Sequence, residues 1–119
     1  MPIKNFDAQL VNFAGEFVFD AKRDFTGRVV LDEKGQPTPE PAFLRGQISN
    51  AVGAKYQGDE ALPFDEQLKR GELARKIAKG GNIELTEEEI VQIKTLVAKG
   101  ASIVVIQQFS EALKAEVPN

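Results

Sequence analysis

The sequence predicts an α+β fold: an N-terminal β-hairpin followed by a small bundle of about four α-helices. Three observations carry this expectation. Between positions 16 and 32 apolar residues alternate or form β-branched runs, from 42 onward they recur at spacings of three and four, and alternating prolines separate the two regimes. A chain of 119 residues with 42% hydrophobic content can bury a core without staples, so one domain over 1–119 is expected. Its parts are a hairpin region at 1–36, a proline-rich connector at 37–41 and a helical region at 42–117.

The first strand is placed at Glu16–Ala21, where Phe17, Phe19 and Ala21 share one face and Glu16, Val18 and Asp20 the other. Arg28–Asp32, with Val29, Val30 and Leu31, supplies a second strand. Lys22–Gly27 is a suitable hairpin loop between them, Gly27 being free to take positive φ. Asp32–Gly35 reads as a turn, and Pro37, Pro39 and Pro41 deny helix and favour extended polyproline geometry.

The first helix is expected to begin after Pro41 and fade near Tyr56, with Leu44, Ile48, Ala51 and Val52 on its apolar face. Gly46 and Gly53 inside it call for a close helix contact or a bend near Ser49. Pro63 opens a second helix carrying Phe64, Leu68, Leu73, Ala74 and Ile77, which Gly80-Gly81 ends. After a short extended link, Thr86 to Lys114 reads as two capped amphipathic helices around a glycine turn. Thr86 with Glu89 matches a capping box, Leu85 faces Ile90 as a hydrophobic staple, Gly100 stops the helix and Ser102 caps the last one. That last helix, marked by Ile103, Val105, Ile106, Phe109, Ala112 and Leu113, is expected to fade near Pro118. No internal repeat is apparent.

The absence of cysteine and histidine removes disulfides, thiolate nucleophiles and the usual zinc and haem ligands. No run approaches the length of a membrane span, and a net charge of −3 supplies no basic field for a phosphate backbone. Membrane and nucleic acid are therefore disfavoured as partners. No phosphate-binding, dinucleotide or nucleophile-elbow motif is present, and Ser49, Ser102 and Ser110 lack a histidine to activate them. No catalytic, cofactor or metal site is expected, and no enzymatic activity.

Each remaining constellation has a plain reading. Glu87-Glu88-Glu89 occupies a first helical turn, where carboxylates favour the helix dipole. Lys69, Arg70, Arg75, Lys76 and Lys79 are interleaved with acids, and Asp65–Lys69, Glu66–Arg70 and Glu72–Lys76 suit i,i+4 pairing on a solvated face. The helices around Gly100 do not suit DNA reading, because Ser102 to Ile106 is apolar where a recognition helix needs polar side chains. That apolar turn suits burial in a core or by a neighbouring subunit. The aromatic hairpin leaves two readings open: Phe17, Phe19, Val18 and Val30 are packed in the core, or the hairpin is an arm that adds to a partner.

The stretch Leu68-Lys69-Arg70-Gly71-Glu72-Leu73-Ala74-Arg75-Lys76-Ile77, followed by Ile83-Glu84-Leu85-Thr86-Glu87-Glu88-Glu89-Ile90 and Ile93-Lys94, resembles small proteins encoded in tailed-phage and prophage genomes. The likeness covers roughly residues 30 to 115 and transfers no residue roles; after the lysine-glycine turn, Ala101–Ile106 agrees in aliphatic character only. Set beside this likeness, the surplus apolar surface of the hairpin and of the start of the last helix predicts a non-enzymatic phage assembly or virion protein, acting as a homo-oligomer and on other phage proteins, in the host cytoplasm or the virion. Candidate contact residues are Phe17, Val18, Phe19, Val30, Ile103, Val104 and Ile106. The alternative is a small inhibitor or regulator of a host protein, with the charged helix Asp65–Lys79 as its contact face.

Overall fold

The computed structural model describes residues 2–115; the expected fading of the last helix near Pro118 lies outside them. Four helices form the body: α1 (Leu44–Gly53), α2 (Phe64–Lys79), α3 (Glu87–Gly100) and α4 (Ile103–Lys114). The fold is α+β as expected, with two small antiparallel sheets. In one, β1 (Ile3–Asn5) pairs with β4 (Asn82–Glu84); in the other, β2 (Phe19–Ala21) pairs with β3 (Pro39–Pro41).

The body is built on α1, which packs against α2, α3 and α4. Its apolar face behaves as its spacing dictates: Leu44, Ile48, Ala51 and Val52 are all buried, among Ile77, Leu85, Ile93, Val97 and Phe109. Phe6 closes the core from the N-terminal side, its ring centroid 5.6 Å from that of Phe109. Gly53 earns its place in α1: a Cβ there would stand 3.4 Å from the Ala74 Cβ of α2, and Ser49 Oγ donates to Ala74 O across the same contact at 2.8 Å.

Several expectations about helix faces are corrected. Phe64 and Leu68 are exposed, because α2 meets α1 only from Arg70 onward through Leu73, Ala74 and Ile77. Arg70 does not pair with Glu66. Its guanidinium is buried, 3.0 Å from Asp59 and bonded to the carbonyls of Val52 and Ala54, where the end of α1 leaves unpaired acceptors. Glu66 meets Lys69 instead at 3.8 Å, and Lys76 turns to Glu89 and the Glu84 carbonyl.

The capping box of α3 is formed reciprocally: Glu89 N donates to Thr86 Oγ1 at 3.0 Å, and Thr86 N to Glu89 Oε1 at 2.9 Å. Ser102 occupies the N-cap of α4 without a side-chain cap bond. Gly100 is no left-handed stop, since its φ is not positive. It is small for a different reason: a Cβ there would fall 1.9 Å from the Tyr56 hydroxyl, which donates to Ala51 O at 2.6 Å.

The strand pairing also differs from the single hairpin expected. Glu16–Ala21 and Arg28–Asp32 are not partners, and the proline-rich segment is itself a strand, in register Phe19↔Pro41, Asp20↔Glu40 and Ala21↔Pro39. Prolines are tolerated because the flanking bonds run from Lys22 N to Thr38 O and from Ala42 N to Val18 O, needing no N–H at 39 or 41. The result is an arm projecting from the body. The radius of gyration is 15.6 Å, against about 13.5 Å for a compact chain of this length.

Candidate functional site

The arm, residues 11–41, is one turn used three times, an internal repeat that the apolar pattern hides. Asn12–Glu16, Asp24–Arg28 and Asp32–Gln36 each place Asn or Asp first and glycine fourth. In each, the glycine N–H donates to the carbonyl of the first residue at 3.0 Å, and the glycine has φ of 79–85°. The leading side-chain oxygen accepts the N–H groups two and four residues on, as Asn12 does from Ala14 and Glu16 and Asp32 from Lys34 and Gln36. This is a type I turn closed by a bulge glycine, with the Asx oxygen fixing the loop. At Asp24 the Thr26 hydroxyl also donates, and this bond, ahead of the N–H groups of Arg28 and Thr26, holds the carboxyl below the usual carboxylate range.

The hairpins meet at two three-way junctions. At the root, Leu10 N donates to Ala42 O, Ala42 N to Val18 O and Val18 N to Leu10 O, over 2.7–3.0 Å. At the distal junction Lys22, Thr38 and Val30 close the same cycle over 2.8–2.9 Å. The β2–β3 ladder joins the two. Every strand is short and changes partner, so the expected alternative of an edge open to another chain has no long edge to use.

What the arm offers is side chains. No residue from 11 to 41 is buried, and Phe13, Phe17, Phe19, Phe25 and Leu31 are 70, 61, 56, 100 and 58% exposed. The reading that places Phe17 and Phe19 in the core is overturned: the root junction admits only Leu10 and Ala42 fully, with Val18 packed behind them. Val30 is half-buried at the distal junction.

The candidate residues of α4 stand against the arm's root. Gln108 grips its backbone as a strand would, its amide nitrogen donating to Gln9 O at 2.9 Å while its oxygen accepts Val11 N at 3.0 Å. Beside this clamp lies a groove of about 310 Å³ lined by Val11, Asn12, Phe13, Val104, Gln107, Gln108 and Glu111. Val104, half-buried in the groove, and Ile106 both pack onto the core, and Ile103 is 68% exposed. Sequence reasoning missed Phe13, Phe25, Leu31 and Gln108. The thrice-repeated Asx-x-x-Gly spacing could have found the first two, since it makes them hairpin tips.

Two other clusters resolve into structure. Tyr56 N donates to the buried Asp59 carboxylate at 2.6 Å; this bond first, then the Arg70 guanidinium, holds Asp59 below the usual carboxylate range. Burial raises the Tyr56 phenol, which stays a donor. The cleft between α2 and α3 interleaves Glu66, Glu72, Glu88 and Glu89 with Lys69 and Lys76. Among the described residues, no three or more acids converge as a metal site would require, and no helix is long and apolar enough to cross a membrane. Comparison with protein-family models, curated proteins and solved structures finds no match to this chain.

Proposed function

We propose that this protein is a non-enzymatic assembly component that works as a homo-oligomer, its arm and the start of α4 forming the contact surfaces. One observation carries the reading: five large apolar side chains stand exposed on an arm that needs none of them for its own hydrogen-bonded frame. Summed over these five side chains, the exposed apolar surface is on the order of 600 Å². The resemblance of residues 68–94 to proteins of tailed-phage and prophage genomes supports a phage particle or its assembly intermediates as the setting, with other phage proteins as further partners.

Light scattering of the purified chain is expected to give a mass above the monomer's 13.0 kDa, and Val104→Glu to reduce it. Mass spectrometry of purified particles should detect the chain. A monomeric chain would end the oligomeric reading, and its absence from particles would end the virion setting.

A second reading, a regulator bound to a host protein, is supported by Phe64 and Leu68, exposed one turn apart on α2 at 77 and 50%. Co-purification separates the two. Loss of a host partner on Phe64→Ser with an intact oligomer would favour the regulator.

A further inference from the structure

We propose that copies of this chain associate head to tail, the second hairpin tip of one copy entering the groove between the first hairpin and α4 of the next. This rests on the oligomeric reading above and specifies which surface meets which.

The tip is a rigid knob. Phe25 is completely exposed, so it does not fill the groove of its own chain. Asp24 fixes the loop beneath it through the N–H groups of Thr26 and Arg28, and the Arg23 guanidinium donates to Gly27 O at 2.8 Å. A pre-formed loop loses little entropy on docking.

The groove is open and has room for an aromatic side chain: its volume is about 310 Å³, with Val11, Phe13 and Val104 as apolar wall. Two of the polar groups beside that wall are already satisfied, Gln108 by the root backbone and Asn12 by its own turn.

Charge sets the direction. The knob presents Arg23 and Arg28 while its one acid, Asp24, is turned into its own loop. The groove's rim carries Glu111, which has no ion-pair partner among the described residues. Of the other tips, the first contributes Phe13 to the groove itself and the third presents Glu33 and Lys34, with no aromatic residue. Only the second tip has the ring and the charge the groove lacks. Where the knob and the hole of one copy engage two different neighbours, the contact is heterologous and builds a ring or a filament.

The test uses sedimentation velocity of the full chain and two variants at exposed positions, Phe25→Ala to remove the knob and Glu111→Arg to repel it. Each is expected to weaken self-association by about tenfold or more, as truncation of an anchor residue does. Mixed in equal amounts, at a concentration where each alone is monomeric, they should form a 1:1 heterodimer, because one intact knob then meets one intact hole. If either variant retains the wild-type assembly, or the mixture stays monomeric, head-to-tail docking is overturned while oligomerisation stands. A wild-type chain that is itself monomeric would overturn both readings.

Discussion

The helical body and the projecting arm are ordered by different forces. In the body, Leu44, Ile48 and Val52 are wholly buried and the helices exist because their apolar faces meet. In the arm nothing is buried, and order comes from three Asx–glycine turns and two cycles of backbone bonds. A body built on burial spends its apolar residues on itself. An arm built on hydrogen bonds leaves them free, which is why Phe13, Phe17, Phe19, Phe25 and Leu31 are available for contact.

The contrast is broken most sharply by truncating one side chain in each region. Ile48→Ala, at a side chain with no exposed surface on the helix that packs against the other three, is expected to cost about 3 kcal/mol, as buried isoleucine truncations do. Phe25→Ala removes a larger side chain yet should change the monomer's stability by less than about 0.5 kcal/mol, because it touches solvent on every side. Urea denaturation of dilute samples measures both. A large loss at Phe25 would mean that the tip is not free.

A smaller effect sharpens the account of the body. Gly100→Ala places a methyl group 1.9 Å from the Tyr56 hydroxyl, so the ring must leave its bond to Ala51 O or α3 must shift. Overpacking of this kind costs about 1–3 kcal/mol. Tyr56→Phe should recover part of it in the double variant, since the oxygen in the way is then gone. Thermal denaturation of the four-member cycle checks this; additive effects would separate Gly100 from Tyr56.

Gly100 and Tyr56 also mark how far the sequence could be read. The apolar spacing of the helices, the capping box at Thr86 and the turn at Asp32–Gly35 were legible because each is a pattern among neighbours within four residues. The exposure of Phe64, the inward turn of Arg70 and the space at Gly100 were not, because each is decided by a residue far along the chain: Asp59 and the end of α1 for Arg70, Tyr56 for Gly100. The arm's side chains were legible as a cluster, but the choice between a core and a contact surface was not. Alternation reports that a strand has two faces, not that either is covered. Of the candidate contacts, Phe17, Phe19 and Ile103 are exposed, whereas Val18, Val104 and Ile106 pack inward.

Acid offers the gentlest comparison, because each region holds one carboxyl below its ordinary range. For Asp59 the Tyr56 N–H is the main cause, followed by Arg70; for Asp24 it is the Thr26 hydroxyl, then the N–H groups of Arg28 and Thr26. A depressed folded-state pKa stabilises the fold above the unfolded value and loses that contribution as pH falls through the folded one. Both contributions are therefore complete at neutral pH and fade below about pH 4. Asp24→Asn should remove the arm's share while leaving the turn, because Asn12 makes the same bonds to Ala14 and Glu16 without a charge. Amide chemical shifts of Arg28 and Tyr56, followed from pH 7 to pH 3, should both move in the wild type and only that of Tyr56 in the variant. If the Arg28 amide still titrates without the Asp24 carboxyl, the turn answers to another group, and the tip's rigidity does not rest on Asp24.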